Sequence, residues 1–109
     1  MTNLQYTVYT PDSAPEVSAD ALRRLEAGVG RVPNLAATMA ESPALVIGFV
    51  NLRELFASTT EFSGGEAQVL LLTAAYENDC AWCVAFHTAM ALKEGVGRTD
   101  VDAARDRPA

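Results

Sequence analysis

Between Ser42 and Ser58, bulky apolar residues recur at Leu45, Phe49, Leu52 and Phe56, in steps of four, three and four. A helix lines such residues along one face, whereas a strand would scatter them over both. Val46 and Val50 widen the stripe, and Asn51, Arg53 and Glu54 mark the polar side. Ser42-Pro43 is a start signal, a capping residue followed by proline at the first helical position. The pattern predicts a helix over Pro43 to Ser58.

The rest of the chain reads in the same way. Asp20 to Ala27 is a short helical pattern stopped by Gly28 and Gly30. Arg31-Val32-Pro33 is extended, and Asn34 is a suitable N-cap for a helix over Leu35 to Glu41. Ser63-Gly64-Gly65-Glu66 reads as a capping box, serine with glutamate three residues on, opening a helix over Gly65 to Glu77. Its Val69-Leu70-Leu71-Leu72 run is apolar nearly all round, which predicts a central position. Asn78-Asp79 can end that helix and cap another. The next helix carries Cys80 to Glu94 and stops at Gly95, and Thr99-Asp100 can cap a final turn over Val101 to Arg105. Residues 1–18 hold a β-like patch, Tyr6-Thr7-Val8-Tyr9-Thr10, then a turn-rich stretch with Pro11, Asp12, Ser13 and Pro15. They read as an extended arm, either lying on a partner subunit or partly ordered. Residues 19–109 read as one helical domain. Nothing else demands a strand, so the expected class is all-α.

Formal net charge is −6, and the eight basic residues are scattered. That argues against nucleic acid, whose phosphates need clustered Lys and Arg, and against a membrane-surface patch. Met1-Thr2-Asn3-Leu4 lacks the basic region and long apolar run of a signal peptide. The longest apolar block, Ala44 to Val50, is too short to span a bilayer. The expected location is cytoplasmic, where a cysteine pair is more often catalytic or metal-binding than structural.

The chemistry concentrates in Glu77-Asn78-Asp79-Cys80-Ala81-Trp82-Cys83-Val84-Ala85-Phe86-His87, which holds both cysteines and the only histidine. Cys80, Cys83 and His87 are spaced by three and four residues, which is the spacing of one helical face. Cys80 at a helix start meets unpaired N–H groups and a partial positive charge, both favouring the thiolate. Two cysteines three apart on a helix can close a disulfide with modest adjustment. His87, four residues beyond Cys83, can accept a thiol proton or stabilise the thiolate. Glu77, three before Cys80, reaches the same pocket if the chain turns suitably at Asp79. Plain core roles for the cysteines and histidine are the alternative. A zinc site needs four converging ligands at about 2.0–2.3 Å, but a continuous helix from Glu77 to His87 rises about 15 Å, which leaves only an interchain site. Covalent haem needs histidine directly after the second cysteine; here that residue is Val84. A thioredoxin-type motif would follow a strand, and the residues before Cys80 look helical.

Three segments together resemble a known pattern: Gly30-Arg31-Val32-Pro33-Asn34-Leu35, Met39-Ala40-Glu41-Ser42-Pro43-Ala44-Leu45, and Glu77 through Thr88. They resemble the carboxymuconolactone decarboxylase-like superfamily, and within it the alkylhydroperoxidase D-like, peroxidase-related branch, over residues 14–107. The resemblance implies an antiparallel helical bundle, in trimers or hexamers, and a thiol-dependent peroxidase or disulfide-reductase activity without metal, haem or other cofactor. It implies that Cys83 attacks peroxide with help from His87, and that Cys80 resolves the product to a disulfide which an external dithiol or reductase protein reduces. The helix dipole points instead to Cys80 as the more acidic thiol. Trp82, Phe86 and Met90 are apolar neighbours that read first as core or interface residues and second as a preference for organic hydroperoxides.

The chain departs from that pattern in three places. Better-studied members carry a relay glutamate twelve residues before the first cysteine, where this chain has Gln68. A carboxamide cannot carry a proton on and off at neutral pH, so Glu77 or Glu66 would have to substitute, with Glu77 preferred. Histidine before the second cysteine is replaced by Trp82. Members also continue with further helices, whereas this sequence stops at Arg107-Pro108-Ala109, either as a shortened member or as a fragment. The bundle is then expected to be completed by a partner chain covering its apolar faces. Two other functions stay open, a non-enzymatic redox sensor or helical assembly module, and a cofactor-free decarboxylase working through His87 and a carboxylate.

Overall fold

A computed structural model describes residues 5–106 of the protein. The signal-peptide reading of residues 1–4, and the last residues of both the helical domain and the resemblance, lie outside the described residues. The described chain is all-α: α1 (Glu16–Val29), α2 (Asn34–Met39), α3 (Pro43–Thr59), α4 (Gly64–Glu77), α5 (Ala81–Lys93) and α6 (Arg98–Arg105). It divides into two compact units, the first ending at Thr59 and the second starting at Thr60.

In the first unit α1 packs on α3, and α2 closes beside α3. Leu22 and Leu25 of α1 and Val46 and Val50 of α3 are fully buried. Ser18 donates its hydroxyl hydrogen to the Ala40 carbonyl oxygen at 2.7 Å, satisfying a buried polar group. Arg24 reaches from α1 to Asn51 and Glu54 on α3. The pair is largely solvated, so it orients more than it stabilises.

The structure departs from the sequence pattern at several points. The β-like patch over Tyr6 to Thr10 forms no strand, and no strand occurs among the described residues. Its Tyr9 N–H donates to the Ala37 carbonyl of α2 at 3.2 Å, so a helix occupies it. The segment read as an arm to residue 18 already turns helical at Glu16, where the Pro15 carbonyl accepts the Ser18 and Ala19 N–H groups. Helix α1 then runs through Gly28 and ends with Gly30, whose φ of 95° is the left-handed conformation that closes a helix. Asn34 is the first residue of α2 rather than its cap, and Pro33 precedes it. On α3 the buried residues are Val46 and Val50, while Leu45 and Leu52 are 53% and 67% exposed. The helix is apolar on more than one side, and only its neighbours decide which side is covered.

The second unit is a helical hairpin with a third helix laid across it. Ser63 caps α4 through the reciprocal box with Glu66: the Glu66 N–H donates to the Ser63 hydroxyl at 3.2 Å and the Ser63 N–H to the Glu66 carboxylate at 2.9 Å. Those bonds hold the Glu66 carboxyl below its ordinary range. Replacing Ser63 by alanine removes the bond to its hydroxyl while leaving the backbone N–H free to donate to Glu66, and a loss of about 1 kcal/mol is expected, read as a lower urea midpoint at unchanged slope. Leu72, Ala91, Val101 and Ala104 form the core where α4, α5 and α6 meet, with Val69, Val84 and Val96 packed around it. No described helix is long and apolar enough to cross a membrane.

Candidate functional site

The turn between α4 and α5 sets the site. The Asp79 N–H donates to the Tyr76 carbonyl and the Cys80 N–H to the Ala75 carbonyl, at 3.0 and 3.1 Å. This is the paired closure of a helix C-terminus, which requires a left-handed residue at its tip. Asp79 fills that position with φ 51°. Aspartate tolerates it better than most side chains, because its short polar group can bond locally. The same closure recurs at the end of α5, where Gly95 takes φ 84°. Of the two roles expected of Asn78-Asp79, ending one helix and capping the next, the pair fills only the first, because Asp79 spends its backbone on the turn.

The cap of α5 is Cys80 itself. Its backbone is extended, and its Sγ accepts the Cys83 N–H at 3.2 Å. A thiolate on Cys80 would gain from that bond and from the partial positive charge of the helix start. Cys80 and Cys83 are joined as a disulfide, with Cα atoms 5.2 Å apart. Both cysteines are half-buried.

His87 lies one helical turn beyond Cys83 and is half-buried. Burial disfavours the imidazolium and pushes its pKa below the ordinary 6.5. The ring is therefore neutral at pH 7 and able to accept a proton. Its Nδ1 is 2.8 Å from Oε1 of Gln68 on α4. Phe86 stands edge-on to the imidazole, with ring centres 5.2 Å apart, and Trp82 stacks on Phe86 at 5.0 Å. Trp82 is 40% exposed, whereas Met90 is buried in the hairpin.

The position read from sequence as a lost relay carboxylate is thus the direct partner of His87. Glu77, the expected substitute, is the last residue of α4 and exposed. Glu66 is engaged at the opposite end of α4, in the capping box. Sequence reasoning places both cysteines and His87 on one stripe but misses the Gln68 contact. A nineteen-residue separation becomes a contact only through the hairpin. Among the described residues, no three His, Cys, Asp or Glu side chains are grouped so as to hold a metal ion.

The burial of His87 makes stability depend on pH in a definite direction. Its pKa is lowered by folding, so the contribution is complete above 6.5. It is lost as pH falls below that value, because the unfolded chain then binds a proton that the folded chain resists. Wild type should lose more of its urea midpoint between about pH 7.5 and about pH 5.5 than His87→Phe does, the carboxylates being common to both. Equal losses would contradict the desolvated placement of the ring.

The fold is all-helical, with a linked cysteine pair at the start of α5 and a neutral histidine one turn on. The sequence model of the carboxymuconolactone decarboxylase family matches residues 43–109, more than half of the chain, and the protein belongs to that family. No curated protein and no solved structure matches the chain.

Proposed function

We propose that the protein is a thiol-dependent peroxidase and disulfide reductase of the alkylhydroperoxidase D-like type. The observation that carries this reading is the Cys80–Cys83 pair at the start of α5, with neutral His87 one turn away. In the reduced chain, the Cys83 thiolate attacks the terminal oxygen of a hydroperoxide. The O–O bond breaks, alcohol or water leaves with a proton, and Cys83 becomes a sulfenic acid. Cys80 then attacks the Cys83 sulfur and expels water, giving the disulfide. An external dithiol or reductase protein returns both thiols by exchange and is itself oxidised. Helix-start stabilisation of the Cys80 thiolate suits it to the resolving step. Glu77, exposed at the end of α4 beside the turn, is the carboxylate we assign to proton exchange with solvent between cycles.

The same reading assigns the chain a cytoplasmic location and a homo-oligomeric state. Leu45, Leu52 and Leu55 in the first unit, and Leu70, Trp82 and Leu92 in the second, expose apolar surface that a further copy would cover. One observation favours a second reading, that of a slow redox sensor: His87 is bonded to an amide rather than to a carboxylate. Steady-state consumption of an organic hydroperoxide, with a small dithiol as reductant, separates the two. Sustained turnover is expected, whereas a single stoichiometric oxidation followed by negligible turnover would favour the sensor.

A further inference from the structure

We propose that Gln68 is a positioning residue that holds His87 as the Nδ1–H tautomer, so that one nitrogen, Nε2, both takes the thiol proton and returns it. The proposal rests on the dithiol reading of Cys80 and Cys83 and adds the route of the proton.

A neutral imidazole has one N–H and one lone pair. The atom facing Nδ1 is the Gln68 carbonyl oxygen, at 2.8 Å, which has no hydrogen to give. The hydrogen of that bond therefore sits on Nδ1, and the lone pair is on Nε2. The contact ties α4 to α5 across nineteen residues of sequence. Phe86, at 82° to the imidazole, braces the ring plane from the side.

Gln68 also restricts the path open to the proton. A carboxylate on Nδ1 could draw that proton off while Nε2 received another, making a two-nitrogen relay. An amide accepts the hydrogen bond but does not take the proton. A proton entering at Nε2 must therefore leave from Nε2. The Cys83 thiol proton moves to Nε2 and leaves a thiolate. The thiolate electron pair forms the S–O bond as the O–O bond breaks. The same proton then passes from Nε2 to the departing alkoxide, which leaves as alcohol. Atoms and charge balance without a further acid.

The test uses the full chain, labelled with 15N, in reduced and disulfide forms at about pH 8, above the ordinary histidine pKa. His87 is the only histidine, so its two ring nitrogens are read without ambiguity from long-range proton–nitrogen spectra. The expected result is a protonated-type shift for Nδ1 and a lone-pair-type shift for Nε2. Gln68→Glu should keep that pattern, because a carboxylate also accepts the Nδ1 hydrogen. Gln68→Leu should move it toward the Nε2–H form that free histidine favours, and slow hydroperoxide-driven disulfide formation by about 100-fold, with Gln68→Glu restoring the rate. An Nε2–H tautomer in the wild type overturns the proposal, as does a Gln68→Leu chain with wild-type shifts or rate. If Gln68→Leu does not fold, the wild-type shifts decide alone. A wild type with the expected shifts whose dithiol ignores hydroperoxide overturns the peroxidase reading, and the shuttle step with it, while leaving the tautomer in place.

Discussion

Replacing Cys83 by serine is expected to reduce hydroperoxide consumption to the uncatalysed background, a loss of at least about 10³-fold, as when other nucleophiles are removed. A serine hydroxyl next to His87 is no substitute, because the attacking species is a thiolate and a hydroxyl is far less acidic. Replacing Cys80 should act differently. Cys83 would still be oxidised once, but the sulfenic acid would have no partner three residues away and would persist long enough to be trapped by a sulfenic-acid reagent. The trapping is done before any dithiol is added, because a dithiol would itself condense with the sulfenic acid and return the Cys83 thiol through a mixed disulfide. The asymmetry is the informative part. It arises from the geometry, in which Cys83 is the cysteine one turn from His87 and Cys80 is the cap that receives the Cys83 N–H. If Cys80→Ser abolished the first oxidation while Cys83→Ser gave the trapped sulfenic acid, the two roles would be exchanged.

Replacing Leu72 by alanine is expected to cost about 2–5 kcal/mol. Leu72 is fully buried where α4, α5 and α6 meet, packed among Ala91, Val101 and Ala104. Its neighbours are mostly small, so none can move in to fill the space it leaves. Small domains are stable by only about 5–15 kcal/mol, so this single change threatens the whole second unit. It also reaches the site: Leu72 lies one turn from Gln68 on α4, and the hairpin it cements is what brings Gln68 to His87. The reduced chain should therefore lose the distinct His87 nitrogen signals at temperatures where wild type keeps them. Leu70→Ala serves as the contrast, because Leu70 is 46% exposed and surface changes of this kind stay within about 0.5 kcal/mol. Comparable urea midpoints for the two variants would contradict the packing described.

Much of this architecture is legible in the sequence where local chemistry decides it. Ser63 and Glu66 announce the start of α4, and Ser42-Pro43 the start of α3, because caps and proline act within one turn. The cysteine–histidine stripe is legible for the same reason: three- and four-residue spacing is a property of the helix alone. What depends on distant partners is not legible. The run Val69 to Leu72 reads as central throughout, yet Leu72 is buried and Leu70 is largely exposed. Helix α3 buries Val46 and Val50 rather than Leu45 and Leu52, because the position of α1 selects the face. The Tyr6 to Thr10 patch has strand-like composition, but its backbone bond to the rest of the unit, from Tyr9, goes to a helix carbonyl. At the site, the sequence locates the missing carboxylate at Gln68 but not the contact it makes. Asp79 in a left-handed turn is equally hidden, since nothing but the closure of α4 demands it.

The central claim, that Cys80 and Cys83 form a working dithiol centre, is tested most directly by adding a stoichiometric amount of organic hydroperoxide to the fully reduced, folded chain and counting thiols with intact-mass detection. Both thiols should disappear together as the chain loses two hydrogens, and a dithiol should restore both. Retention of both thiols, or oxidation that stops at added oxygen on either cysteine without closing the bond, would contradict that claim.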